Sequence, residues 1–164
     1  MKGYSLNKIE LTPIGIIRTP YTEPKDMPIQ GRFRDDVEGW VELKDEYVPG
    51  LKDLDGFSHV ILIYYFHRSE AEHLHTRPFL EQETHGIFAI RSPHRPNHLG
   101  LSVVKLRRIE GNRVYFTEVD MLDGTPLLDI KPYVEHFDSR DDVKSGWLDQ
   151  HFADGKIPDQ TIIG

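Results

Sequence analysis

The 164-residue chain contains no cysteine, which excludes thiolate nucleophiles, thiolate-bound zinc and a small secreted scaffold held by disulfides. A cytosolic address is the expectation. Long apolar runs are missing too. The longest, Val60 to Phe66, falls far short of the roughly 20 residues that span a bilayer, and Met1 to Glu10 shows no apolar core of a signal peptide. No membrane insertion is expected. There is also no G-x-G-x-x-G after a strand and no G-x-x-x-x-G-K-S/T, so neither a dinucleotide fold nor a P-loop is signalled. A nucleoside cofactor would have to be bound in some other way.

What is present is an ordinary globular composition, 38% hydrophobic and 29% charged, at a length that suits one domain over residues 1–164. The formal charge of −7 gives no global attraction to nucleic acid. The distribution is uneven, however. Gly86 to Ile109 holds Arg91, Arg95, Lys105, Arg107, Arg108, His94 and His98 and no carboxylate, leaving 15 of the 20 basic residues against all 27 acidic ones elsewhere. A basic segment in an acidic protein suits one face that meets an anion. The alternative is a strand whose solvent face happens to be cationic.

Apolar stretches are short, of period two, and punctuated by Gly, Pro and Asp, which predicts strands. They fall at Pro13 to Arg18, Trp40 to Leu43, Val60 to Phe66, Gly86 to Ser92, Leu101 to Ile109, Arg113 to Val119 and Leu127 to Lys131. Glu110-Gly111-Asn112 and Asp123-Gly124 read as turns. Helical signals are few: a short turn over Val48 to Leu54, and a helix capped by Ser139 and running through Val143 and Trp147. About seven short strands in one domain point to a mainly all-β chain folded as a small closed or nearly closed barrel, since closure removes exposed edges. The apolar tip of the tail, Thr161-Ile162-Ile163, is expected to dock on a partner subunit.

The densest chemical segment is Arg91-Ser92-Pro93-His94-Arg95-Pro96-Asn97-His98-Leu99-Gly100. Its prolines stiffen the backbone and bias the residues before them toward extended conformations. Two guanidiniums and a carboxamide on a stiff loop suit a carboxylate or phosphate and the edge of a base. Further along, Asp129 and Lys131 alternate on a strand end stopped by Pro132, either facing a common cleft or forming a surface ion pair. His67 follows the apolar strand, as a polar cap or an acid-base group. His73-x-His75 and His94-x-x-x-His98 lack the further ligands that a metal site needs, and no metal is expected.

Several segments then stand together: Ile14 to Tyr21, Phe57-Ser58-His59, Phe66-His67, Gly86 to Ser92, Arg95 to Gly100, Asp123 to Pro126 and Asp129 to Tyr133. In this order, across residues 11–137, they closely resemble the TsaA-like family, whose members include transfer RNA adenine-N6 methyltransferases. The resemblance implies a β-barrel, non-Rossmann methyltransferase, active as a homodimer with S-adenosylmethionine near the subunit contact. It implies cofactor contacts at Pro28, Ile29, Gln30, His67, Arg68, Arg91, Leu101, Asp129, Ile130, Lys131 and Pro132. It further implies a tRNA acceptor, the N6 of threonylcarbamoyladenosine next to the anticodon. Arg91 or Arg95 is expected to hold an anion, Asn97 to orient the base, and His67 is a candidate acid-base group. Ile29 stands where the family has arginine and Arg68 where it has glutamine, so at these two positions the resemblance implies backbone contacts and not the family's side-chain roles. The chain is also without the additional C-terminal domain of longer bacterial members. Other readings are a methyltransferase on another small acceptor and a non-catalytic S-adenosylmethionine-binding module.

Overall fold

A computed structural model describes residues 7–28, 31–78 and 81–153. Ile29, Gln30 and the apolar tip of the tail lie outside the described residues. Six strands form a closed antiparallel barrel in the order β1 (Gly15–Arg18), β2 (Gly39–Leu43), β7 (Arg113–Thr117), β6 (Leu99–Glu110), β3 (His59–Tyr65) and β8 (Thr125–Pro132). β1 closes the ring, pairing with β2 through Gly15↔Leu43 and with β8 through Gly15↔Leu127. A separate two-stranded ribbon joins β4 (His75–Thr76) to β5 (His85–Gly86).

Period-two alternation puts every second residue inside the barrel. Ile17, Val41, Val60, Leu62, Val104, Val114, Phe116 and Leu127 are fully buried there. Two irregularities break the alternation. The β6–β7 register shifts at Arg107 and the β3–β8 register at Leu128; such bulges bend a strand and raise its twist. Gly111, at φ +60, makes the β6–β7 hairpin, and Gly124, at φ +80, the turn into β8. At one end the barrel is stopped by 3-10 turns at Asp45–Leu51 and Leu54–Gly56, whose Leu51 and Leu54 pack on the core. The opposite end, where β3 and β7 finish and β6 and β8 begin, carries the long loops.

Two expectations are corrected. Gly86 to Ser92 is not a strand: after the two residues of β5 it turns as a 3-10 helix, Ile87–Ala89. Ile87 and Ile90 are three apart, one 3-10 turn, so both are buried while Phe88 between them is 78% exposed. Ser139 does not start a helix but ends one, α1 (Glu135–Asp138), with its N–H donating to the Glu135 carbonyl. The cap comes from within, because Asp138 accepts the Val134 N–H at 2.8 Å. Trp147 sits instead in a 3-10 turn, Gly146–Leu148, leading into α2 (Asp149–Ala153).

That final segment is clamped to the rest of the molecule. The Trp147 ring stacks on His85 at 4.5 Å and its indole N–H donates to the Ala89 carbonyl at 2.9 Å. Glu81 lies between the imidazoles of His151 and His85, and these bonds hold its carboxyl below the usual carboxylate range.

Two tests follow from the packing. Phe116→Ala empties the widest side chain of the barrel interior and should lower unfolding free energy by about 3–5 kcal/mol in a denaturant titration. A carboxylate with a depressed pKa stabilises the fold above its unfolded value, near 4.5, and stops doing so as pH falls. Trp147 emission, read in a Trp40→Phe background, should therefore shift red on acidification, and at neutral pH in Glu81→Gln.

Candidate functional site

The loop end of the barrel encloses a cavity of about 930 Å³, within the range of small-molecule sites. Its floor is the barrel mouth, with Tyr64, Gly100, Ser102, Met121 and Thr125. Pro24, Met27 and Pro28 form one side; Phe66, His67 and Arg68, just after β3, form another. The third is the Pro-rich loop, with Arg91, Arg95 and Asn97, and Phe88 and Leu101 stand at its margin.

Stiffness of that loop comes from more than proline. Asn97 and His98 both have positive φ, 64° and 49°, a region costly for a residue with a Cβ though least so for Asn. The loop is held by bonds on every side. The His98 carbonyl accepts the Phe66 N–H at 2.8 Å, the His98 ring meets the Pro93 carbonyl at 2.9 Å, and Ser69 Oγ meets His94 Nδ1 at 2.8 Å. Gly100 is required by close approach, since a Cβ there would lie 2.2 Å from the Tyr64 ring.

The cations divide by what they already hold. Arg95 donates to the Ile90 carbonyl at 2.7 Å and so braces its own loop. Arg68 donates to the Thr22 carbonyl at 2.7 Å and pairs with Glu23 at 3.4 Å, tying the first loop to the end of β3. Arg108 is neutralised by Glu38 and Glu110. Arg91 has no hydrogen bond or carboxylate partner among the described residues and lines the cavity. His67 is biased toward its neutral form, its pKa lowered by burial and then by the Arg68 charge.

Deeper in the cavity lies a polar chain that the sequence reasoning missed. The Tyr64 hydroxyl and Ser102 Oγ are 2.9 Å apart, and Ser102 donates to Asp120 Oδ1 at 2.7 Å. Burial raises the Tyr64 hydroxyl well above its usual value and pushes the Asp120 carboxyl up to about 6, although bonds from Ser102 and the Gly31 N–H oppose the second shift. One signal was available: Ser102 occupies an inward position of β6 between Gly100 and Val104, where an apolar residue is the rule.

The remaining candidates lie elsewhere. Asp129, Ile130 and Pro132 line a second cleft of about 460 Å³, against Leu43, Tyr47 and Leu54 at the capped end. Lys131 lines neither cavity, and its ammonium pairs with Asp129 at 2.8 Å, which raises its pKa. Arg91 and Asp129 therefore share no cavity within one copy of the chain. Leu101 and Asp129 do share a surface, because both pair with Ile63 of β3 on the outer face of the barrel, about 10 Å apart by strand spacing. Among the described residues no three His, Asp or Glu side chains gather as a metal site would require, and no helix is long and apolar enough to cross a membrane.

This fold has known counterparts. A family model described as the tRNA-methyltransferase O N-terminal domain matches residues 16–139. A probable S-adenosyl-L-methionine-binding protein of Pyrococcus abyssi is 53% identical over 139 residues, 85% of this chain and 76% of its own length. The tRNA (adenine(37)-N6)-methyltransferase of Mus musculus is 47% identical over 94 residues, 54% of this chain and 21% of its own. The crystal structure of TrmO from Pseudomonas aeruginosa superposes with a TM-score of 0.75 at 37% identity, covering 87% of this chain. The present chain spans 63% of that solved one. The chain thus belongs, over residues 16–139, to the family of the tRNA-methyltransferase O N-terminal domain.

Proposed function

We propose that the chain is an S-adenosylmethionine-dependent methyltransferase whose acceptor is the N6 of threonylcarbamoyladenosine beside the anticodon of tRNA, acting in the cytoplasm. The observation that carries this reading is one cavity in which a guanidinium without a partner among the described residues, an apolar wall and a deep carboxylate converge. These residues fit a sulfonium nucleoside. Met27, Pro28, Phe66 and Leu122 offer apolar surface to a nucleoside, and Arg91 a partner for a carboxylate. The names of the relatives, methyltransferases and S-adenosyl-L-methionine-binding proteins, support the same reading.

The bound cofactor supplies a methyl group activated by positively charged sulfur. The work of the chain is alignment and electrostatics, and alignment alone is worth roughly 7–11 kcal/mol. Arg91 holds an anion, either the carboxylate of the cofactor or that of the threonyl group. Arg95 fixes the loop through Ile90 so that Asn97 is aimed at the base edge. His67, neutral at physiological pH, accepts or donates a hydrogen bond without adding charge. Phe88 offers an exposed ring face at the rim, where a base can stack.

The chain acts in this reading as a homodimer. Leu99, Leu101, Val103 and Tyr65 are 41%, 59%, 39% and 39% exposed and form an apolar strip on the outer face of β3 and β6 that runs into the cavity margin. A second copy seated on that strip covers it and brings the Asp129–Pro132 segments of β8 close to the subunit contact, where each completes a cofactor site with the cavity residues.

Incubation with labelled S-adenosylmethionine should place methyl on tRNA that carries the threonylcarbamoyl group and not on tRNA that lacks it, as read by mass spectrometry of nucleosides. Transfer to a small metabolite, or binding without transfer, would reject the proposal. Arg91→Ala should weaken binding of the anion it holds by about 10- to 100-fold, the span of a hydrogen bond to a charged group. Leu101→Asp should shift the chain to monomer in sedimentation.

A further inference from the structure

Methyl transfer to a ureido nitrogen leaves a proton that must go somewhere, and Arg91, Arg95 and Asn97 of the Pro-rich loop are not suited to take it. Arg91 and Arg95 are cations, and Asn97 is a neutral amide. His67 lines the same cavity, but burial and the Arg68 charge lower its pKa and so weaken it as a base. Among the described residues that line the cavity, one is acidic, Asp120.

Its position is built with care. β7 ends at Thr117, and Glu118 takes a positive φ of 65°, which swings the chain so that residue 120 faces the mouth. Gly31 lies against this turn so closely that a Cβ would fall 1.9 Å from the Glu118 carbonyl oxygen, and only glycine lets its N–H reach the Asp120 carboxyl. From the opposite wall Ser102 donates to Oδ1, backed by Tyr64. Asp120 thus sits at the end of a fixed hydrogen-bonded chain, with its carboxyl lining the cavity.

Resting on the methyl-transfer reading above, we propose that Asp120 is the general base of the reaction and that Ser102 and Tyr64 are its positioning residues. The N6–CH3 bond forms as the S–CH3 bond breaks, the bonding electron pair of the latter stays on sulfur, and the N6 proton passes to Asp120. The sulfonium methyl donor is the only co-reactant required. The charged or titratable groups that face Asp120 are Tyr64 from β3 and Arg91 from the Pro-rich loop; Ser102 and the Gly31 N–H are neutral donors. With a carboxyl pushed up to about 6, Asp120 is still ionised at neutral pH and is a stronger base than a solvated carboxylate.

The test is a pH profile of single-turnover transfer to threonylcarbamoylated tRNA, together with calorimetric binding of S-adenosylmethionine and thermal melts. Wild type should lose rate below about pH 6 as Asp120 protonates. Asp120→Asn should be slower by about 100-fold or more, with no acid limb and with cofactor affinity changed by less than about threefold. His67 lines the same cavity, so loss of the limb in Asp120→Asn is what assigns it. Ser102→Ala removes a donor that favours the charged carboxylate, so its limb should move to higher pH. The melts give a reading that needs no turnover. A raised carboxylate pKa favours the fold fully below the unfolded value of 3.8 and loses that contribution as pH rises through about 6. The melting temperature of Asp120→Asn relative to wild type should therefore climb between about pH 4 and pH 8.

Transfer by wild type that Asp120→Asn retains, or an acid limb that survives in that variant, would overturn the assignment alone. A large loss of cofactor affinity in Asp120→Asn would overturn it as well, because it would make the carboxylate a partner of the sulfonium. Failure of wild type to methylate any tRNA would overturn the functional reading and this assignment with it.

Discussion

The double pairing of β1, to β2 on one side and β8 on the other, is the constraint from which the rest of the molecule follows. β1 is only four residues long, yet it closes an open sheet of the other five strands into a ring with no exposed edge. Gly15 sits at the tightest point, where a Cβ would lie 2.4 Å from the Glu42 carbonyl oxygen, so the strands close on a position without a side chain. Once the ring is shut, alternation sorts each strand into an apolar lining and an outer surface, and the chemistry is forced to the ends.

The two ends differ because of what the linkers bring. Short 3-10 turns with apolar residues plug one. At the other, the chain places prolines, arginines and an inward Tyr64–Ser102–Asp120 relay where the apolar lining gives out. A carboxylate at that boundary is half withdrawn from water, and this withdrawal raises its basicity. The same boundary leaves Arg91 without a carboxylate partner among the described residues. Opposite charges are thus kept in one cavity without neutralising each other, a state that stability alone would not select.

The barrel was legible because its strands obey a local rule. Val41, Val60, Leu62, Val104 and Val114 declare the inner face by period two, and Gly111 and Gly124 mark turns by their chemistry. Where the rule is non-local, sequence reading went astray. Ile87 and Ile90 are read as strand residues until the three-residue spacing of their burial is seen, and Ser139 has the chemistry of a start but stands at an end because Asp138 supplies the cap. In the candidate site, the Arg91 to Gly100 loop, His67, Arg68 and Pro28 line one cavity. Asp129 to Pro132 do not join them within one copy, since pairing register sets Asp129 and Lys131 on the outer wall and Ile130 toward the core near the capped end. Asp120 was invisible because nothing near it in sequence announces burial; it needs Gly31, Ser102 and Tyr64, brought from three distant segments.

The left-handed pair at Asn97 and His98 also bears on how this cavity can vary. Backbone geometry at position 97 is tolerated cheaply by glycine, asparagine and aspartate and poorly by most other residues. Glycine removes the amide, and aspartate replaces it with a charge. The menu at this position is therefore narrowed by torsion angle before any ligand is considered, and a cavity of this design that came to favour a different acceptor would be expected to drift at Phe88, Phe66 or Leu101, leaving the carboxamide where it stands.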